Sequence, residues 1–418
     1  MITGIKGMND ILPAEIAAWH FLESQVREVF PPFGFNEIRV PVLEKTELFC
    51  RSIGDDTDIV EKEMYTFPDK SGHSLTLRPE GTASVMRAYI EHKMYAQNQV
   101  EKLYYVGPMF RYERPQKGRY RQFHQIGAEI IGETCPLADV QLLNMLCRFF
   151  GSIGIRDALL QLNSLGCPAC RPGYRQALAV FIASRLDVLC SDCRRRHQHN
   201  PLRVLDCKVE QCRTACQDAP SVLDHLCADC STHFATVRRL LTDLNIPFEV
   251  NKRMVRGLDY YTRTTFEMVS SRLGSQNAVA AGGRYDGLIA SLGGPPVPGI
   301  GFAIGMERLI LMLNSSSFPP SRPDIFLVTL GDKALEKGFS LLSGLQVDGL
   351  RAEMDFSGKS MKAQMRRADK VQARLVLILG EDELARNQIQ IRAMDDGSQE
   401  TVDLDRLLPI LSDRLAAI

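Results

Sequence analysis

The chain has 418 residues, 45% hydrophobic and 24% charged, with 50 Lys and Arg balancing 50 Asp and Glu. That length allows two or three domains, and the composition is that of a soluble globular protein. The zero balance excludes a chain that coats nucleic acid through net charge, though not a local basic footprint. No apolar run approaches the ~20 residues of a membrane span, and Met1 to Asp10 lacks the apolar stretch of a signal peptide, so the expected compartment is the cytoplasm.

Ala14 to Phe30 places apolar residues at helical spacing and stops at Pro31-Pro32, which predicts a helix. Leu103-Tyr104-Tyr105-Val106 and Ile126 to Ile131 read as strands punctuated by Gly and Pro. Residues ~166 to ~243 change character. They hold nine of the twelve cysteines and the basic run Arg194-Arg195-Arg196-His197, with apolar residues at helical spacing. Strand-like sequence returns at Phe248-Glu249-Val250 and Thr265 to Val269, so the cysteine-rich stretch reads as a helical insertion into one larger domain over residues 1–320. Ser315 to Ser321 reads as a linker. From Pro323 to the end, strands at Asp324–Val328, Arg351–Met354 and Leu375–Leu379 alternate with helices at Lys333–Leu345 and Ser360–Lys370. That alternation predicts a small α/β domain with a mostly parallel sheet.

Between the first two strands, Arg111, Arg114, Lys117, Arg119 and Arg121 crowd one hairpin-like loop, with His124 a further cation when protonated. Arg suits phosphate because its planar fork donates two hydrogen bonds at once. A solvated basic loop is the plain alternative. Two features weigh against it: Arg111 at a strand end and Glu129 inside the next strand both carry charge among apolar neighbours and need partners.

Phe110 to Glu129 resembles motif 2 of the class II aminoacyl-tRNA synthetases, in its histidyl form. Gly34-Phe35-Asn36-Glu37-Ile38-Arg39-Val40-Pro41 resembles motif 1, which in the family builds a dimer interface. Gly301-Phe302-Ala303-Ile304-Gly305-Met306-Glu307-Arg308-Leu309 resembles motif 3. Arg256-Gly257-Leu258-Asp259-Tyr260-Tyr261 and Gly282-Gly283-Arg284-Tyr285-Asp286-Gly287-Leu288 resemble the two signatures specific to the histidyl family. The resemblance implies an α+β catalytic core, an antiparallel sheet flanked by helices, interrupted by the insertion and followed at 323–418 by an α/β anticodon-binding domain.

It also implies residue roles. Arg111 would hold the ATP α-phosphate, Arg308 the γ-phosphate, and Arg256 would act as a catalytic cation near the substrate carboxylate. Phe123 would stack on adenine, with Arg121 also on ATP. Leu77-Arg78-Pro79-Glu80-Gly81-Thr82 resembles the amino-group site, in which Glu80, Gly81, Thr82 and Gln125 receive the ammonium. Glu129 and Tyr261 would serve the two imidazole nitrogens, with Tyr260 lining the same pocket. Gly282-Gly283 and Gly299-Ile300-Gly301 are read as backbone shape, not as ligands. Gln116, Lys117 and Arg119 would face the tRNA acceptor stem. Lys359, Lys362, Arg366, Arg367, Lys370 and Arg374 fall within 16 residues opposed only by Asp369. In the domain context this run reads as an anticodon contact, against the ordinary meaning of a solvated face. The implied partners are L-histidine, ATP with Mg2+, histidine tRNA and a second copy of the chain, with no membrane and no tightly bound organic cofactor.

Cys167-Pro168-Ala169-Cys170 and Cys190-Ser191-Asp192-Cys193 pair as CxxC…CxxC with 19 residues between them, a spacing that suits tetrahedral zinc. Cys207, Cys212, Cys216 and Cys227-Ala228-Asp229-Cys230 add candidates. The resemblance does not require a metal there, so reduced structural cysteines are favoured over zinc. Two other functions compete with the main reading. One is a non-catalytic regulatory paralogue of histidine biosynthesis; the other is a class II synthetase for proline or threonine.

Overall fold

Eight strands form one sheet in the spatial order Asn36–Glu37, Glu101–Phe110, Gln122–Ile131, Gly299–Gly305, Ala278–Arg284, Thr262–Val269, Leu159–Ser164, Phe248–Val250. The two outermost pairings are parallel and the rest antiparallel. This is a computed structural model; it describes residues 1–418 except 55–56, 206, 208, 256–257, 259, 275–276, 315–316, 319–321 and 418. The chain divides into two units, Met1–Phe318 and Pro319–Ile418.

Period-two alternation sorts the sheet's faces. Ile126, Ala128 and Ile130 share one face with Ile300, Phe302 and Ile304 on the neighbouring strand, and all six are buried in the main core. Helix Ile16–Val29 lays Trp19, Leu22 and Val26 on that core, and helix Pro136–Ser152 adds Leu142, Leu143, Leu146 and Phe149. The first of these ends where Pro31 and Pro32 begin a 3-10 turn, as the sequence predicts. The opposite face carries Gln125, Gly127, Glu129, Gly301, Ala303 and Gly305. Their small side chains leave a trough there.

The cysteine-rich insertion consists of helices Arg171–Ala183, Ser191–His199 and Glu210–Ala215 with short 3-10 turns. Helix Ala228–Asp243, expected within it, belongs to the core instead. Its Phe234, Val237 and Leu241 are buried with Leu142 and Phe149.

The second unit has a five-stranded sheet in the order Ala352–Met354, Ile325–Leu330, Leu375–Gly380, Gln388–Ala393, Gln399–Asp403. Leu375–Gly380 is buried along its whole length because helices cover both faces. The expectation of a mostly parallel sheet needs correcting. The pairings of the first three strands are parallel, but the last two strands join antiparallel. Their alternating polar sequence, Gln388-Ile389-Gln390-Ile391, is that of a half-exposed edge, as their burial pattern shows.

Candidate active site

The trough is lined by residues from five separate segments. Glu80, Thr82, Arg111, Arg119, Phe123, Gln125, Tyr260, Tyr261, Tyr285 and Arg308 all line the same cleft. Many of the sequence-predicted residues therefore converge, although they span more than half of the chain; Gly81, Arg121 and Glu129 are not in the lining.

At one end Glu129 lies just behind the floor, held by the lining residues Thr82 and Tyr285. It is fully buried, and its carboxylate accepts from the Thr82 hydroxyl at 2.7 Å and the Tyr285 hydroxyl at 2.5 Å. Burial pushes this carboxyl up to about 8, against the lowering effect of those two donors. Gly301 lies directly across from Glu129 in the sheet, and a Cβ there would overlap the carboxylate. Gly127 and Gly81 likewise leave room for the Tyr105 ring. Glycine at 81 thus acts by shape. Gly282 packs against the Gly301 carbonyl and Phe302 backbone, so the expectation that these glycines set backbone shape holds.

Above the floor, Glu80 accepts the backbone N–H groups of Thr82 and Ala83 at 2.7 and 2.8 Å, anchoring the first turn of helix Thr82–Glu91. Burial raises its pKa despite these bonds. Gln125 Oε1 is a buried acceptor with no hydrogen-bond partner among the described residues. Such an oxygen suits an ammonium donor.

At the other end three arginines gather. Arg111 donates from Nε to the Pro79 carbonyl at 2.9 Å and stands 5.5 Å from the Phe123 ring centroid. Arg308 donates from Nε to the Gly118 carbonyl at 3.3 Å and from Nη1 to the Ala278 carbonyl. Burial and the adjacent Arg119 and Arg111 charges lower the pKa of Arg308. Glu113, paired with Arg119, and Glu267 offset part of this repulsion. A cluster of like charges in a cleft is costly until an anion enters it.

Some residues lie elsewhere than expected. Arg119, assigned to tRNA from sequence, is in the cleft wall, whereas Gln116 and Lys117 are exposed at the hairpin tip, where Gly118 takes a left-handed φ of 73°. Arg121 is outside the cleft lining: its guanidinium lies 4.1 Å over the Tyr112 ring and donates to the Glu113 carbonyl. Arg256 lies outside the described residues; the Tyr260 and Tyr261 rings of the same signature meet at a tilt, their centroids 4.7 Å apart. In the second unit the basic run has a further opponent: buried Asp355 pairs with Arg367 at 3.2 Å and Lys359 at 4.0 Å. Arg374 is tied to Asp324, leaving Lys362, Arg366 and Lys370 exposed on or at the end of one helix.

Sequence reasoning missed three partners. Tyr285, within the Gly282–Leu288 signature, holds Glu129 through its hydroxyl. Glu307 receives the His124 backbone N–H at 2.8 Å and binds its ring nitrogen at 3.1 Å, fixing the start of the motif 2 strand. Fully buried Arg284 bridges Asp139, Asp286 and the Glu133 carbonyl, and Asp139 in turn binds His233 at 2.8 Å. A buried-charge rule applied to Arg284 would have demanded a carboxylate, but not said which.

The cysteines group differently from the sequence pairing. Cys167 and Cys170 meet Cys227 and Cys230, while Cys190 and Cys193 meet Cys207 and Cys212.

Comparison with known proteins places this arrangement. A histidyl-tRNA synthetase family model matches residues 7–168 and 185–309, and an anticodon-binding-domain model matches residues 324–414. The histidine–tRNA ligase of Syntrophotalea carbinolica is 65% identical over 97% of this chain and 96% of its own length. That of Geobacter metallireducens is 62% identical over 97% and 98%. A crystal structure of the S. aureus histidyl-tRNA synthetase superimposes with a TM-score of 0.82 at 38% identity, covering 98% of this chain and all of that one. These matches run through both units and through the residues that converge in the cleft; the chain belongs to the histidyl-tRNA synthetase family.

Proposed function

We propose that the cleft joins L-histidine to ATP as histidyl-adenylate, releasing pyrophosphate, and then passes the histidyl group to the 3′ end of histidine tRNA. The observation that carries this reading is the polarity of the cleft. Three arginines gather at one end, and at the other a carboxylate buried behind the lining is bonded by two of the lining's hydroxyls.

In this reading the polyphosphate relieves the repulsion among Arg111, Arg119 and Arg308. The histidine carboxylate attacks the α-phosphorus, and negative charge builds on the α-phosphoryl oxygens. Arg111 meets that charge, joined by Arg256 on the strength of the sequence resemblance. Arg308 holds the departing pyrophosphate. Phe123 stacks on adenine. Mg2+ arrives with ATP, and Glu267 in the cleft wall is a hard oxygen donor of the right kind to hold it. Glu80, Thr82 and Gln125 receive the ammonium. Glu129 accepts one imidazole N–H, and the Tyr261 hydroxyl serves the other ring nitrogen. An amino acid without those nitrogens leaves both groups unpaired, which rejects it.

For tRNA, we assign Gln116 and Lys117 at the hairpin tip to the acceptor stem, and Lys362, Arg366 and Lys359 of the second unit to the anticodon. The exposed edge strand Asn36–Glu37, within the motif 1 segment, is the surface we assign to a homodimer. The described residues include no helix long and apolar enough to cross a membrane, and we place the enzyme in the cytoplasm. The regulatory-paralogue alternative is not favoured, because relatives above 60% identity over nearly the whole chain carry the ligase name.

Histidine-dependent exchange of pyrophosphate into ATP tests the reading. Exchange with histidine, and none with proline or threonine, is expected. No exchange with histidine overturns it. Arg256→Ala should lower exchange by orders of magnitude while histidine binding survives.

A further inference from the structure

We propose that the insertion holds two zinc ions, each in its own four-cysteine site, one nested within the other along the chain. Cys167, Cys170, Cys227 and Cys230 form the outer site; Cys190, Cys193, Cys207 and Cys212 form the inner one. This replaces the single site that sequence spacing suggested.

Geometry comes first. Within each group the four sulfurs lie within 4.8 Å of one another. Cys167 is 3.6 Å from Cys170 and 3.9 Å from Cys227, and Cys190 is 3.9 Å from Cys207. A tetrahedron with Zn–S bonds of ~2.3 Å has edges of roughly 3.8 Å. Four mutually adjacent sulfurs make a coordination set; a disulfide needs only two.

The surroundings suit thiolates. Backbone N–H groups donate to the sulfurs, from Cys227 to Cys170 at 3.1 Å and from Cys190 to Cys212 at 3.2 Å. Cys170, Cys190 and Cys227 each cap the start of a helix of 13, 9 and 16 residues respectively. Gly166, with a left-handed φ of 63°, lets the chain pass where a Cβ would stand 2.7 Å from the Cys170 Cβ. All four positions of each site are protein ligands, which marks them as structural, not catalytic.

Packing supplies a reason for metal. Of the ten buried residues in the insertion's own core, four are cysteines. A core this thin needs staples.

The outer site also braces the pocket. It ties the end of strand Leu159–Ser164 to the start of helix Ala228–Asp243, whose buried face is in the catalytic core. Beside it, Arg171 donates to the Tyr261 carbonyl, and Leu165 and Gly166 exchange backbone hydrogen bonds with Arg263 at 2.7 and 2.9 Å. Loss of the outer zinc therefore loosens the wall that carries Tyr261. Loss of the inner zinc loosens only the insertion. This second consequence rests on the histidine-pocket reading; the metal sites do not.

The test is elemental analysis of the full chain purified without chelator, with zinc release by a mercurial. About two equivalents per chain are expected. Cys227→Ser/Cys230→Ser and Cys207→Ser/Cys212→Ser should each retain about one. Cobalt-loaded protein should show the charge-transfer and ligand-field bands of tetrahedral thiolate coordination, a readout that does not depend on the variants folding. Histidine KM in the exchange assay should rise roughly tenfold for the outer variant and stay near the parent value for the inner one. Less than about 0.2 equivalents of zinc, iron in its place, or disulfides in freshly reduced protein would overturn the proposal. So would a single zinc lost with Cys193→Ser yet kept in the Cys227→Ser/Cys230→Ser variant. Two zincs in a chain without histidine exchange would uphold the metal sites and refute the proposed function.

Discussion

Glu129 and Gly301 face each other across two antiparallel strands, and the carboxylate occupies the space that a side chain at 301 would need. The pocket floor is thus backed by an acid that fills the place of a missing methyl group. Gly301→Ala adds one methyl at a position where the backbone is ordinary strand, but that methyl also meets the Ala128 carbonyl oxygen at 2.7 Å, so a thermal melt of the variant accompanies its kinetics. The methyl should push Glu129 off its Thr82 and Tyr285 donors. The expected outcome is a loss of about 10²-fold in histidine kcat/KM, with a much smaller change in ATP KM. Equal losses for both substrates, or none, would show that the glycine serves only the fold.

The same carboxylate should set a pH dependence. Glu129 is raised to about 8, mainly by burial, so in the ligand-free pocket it is largely protonated at neutral pH. The ionised carboxylate accepts an imidazole N–H more strongly than the protonated carboxyl does. Histidine kcat/KM should therefore climb with pH, reach half its limit near 8 and level off above it. Glu129→Gln should be weaker and lose that limb. Because the Tyr285 hydroxyl lowers the Glu129 pKa, Tyr285→Phe should move the limb to higher pH. A limb that persists unchanged in Glu129→Gln would assign the titration to another group.

Stability should respond with the opposite sign. The folded pKa of Glu129, about 8, stands above its ordinary value of 4.5. Between those two values the folded chain holds a proton that the unfolded chain has released, so this group's contribution to stability falls as pH rises through the window. Glu129→Gln removes that slope. Relative to the parent, the variant should gain stability from pH 5 to pH 8.5, by at most roughly 4 kcal/mol. Denaturant melts at the two pH values without histidine would measure it. A gap between variant and parent that does not change with pH would refute it.

The catalytic sheet was legible because its alternation is strict. Ile126, Ala128 and Ile130 declare a buried face, and Gln125, Gly127 and Glu129 declare the other. The cleft residues were legible because their motifs are local in sequence. What escaped were relations between distant segments. Tyr285 and Glu129 are 156 positions apart, and nothing in either neighbourhood names the other. The cysteines show the same limit. Three CxxC pairs and the wider-spaced Cys207 and Cys212 can combine in several ways, and adjacency in sequence favours Cys167–Cys170 with Cys190–Cys193. The folded chain brings them together in the nested arrangement instead. Helix Ala228–Asp243 was misplaced because helical spacing reports an amphipathic face but not what that face covers.

Arg284 is the largest of the fully buried side chains, and its guanidinium is matched by Asp139, Asp286 and a main-chain carbonyl. Through Asp139 it reaches His233 on helix Ala228–Asp243, so three elements are fastened at one charge. Removing one partner of such a set strands the other in a medium that cannot solvate it, whereas removing both leaves only a packing defect. Arg284→Met should cost about 3–5 kcal/mol, and Asp139→Leu a similar amount. The double variant should recover a good part of the sum, a non-additive result expected of direct partners. Equilibrium denaturation of the four proteins gives the cycle. The adjacent Tyr285 hydroxyl reports on function: if Arg284 positions it, the histidine KM should worsen in Arg284→Met even where the variant is fully folded, with ATP KM little changed. Strict additivity in the cycle would mean that the two charges are held by separate networks.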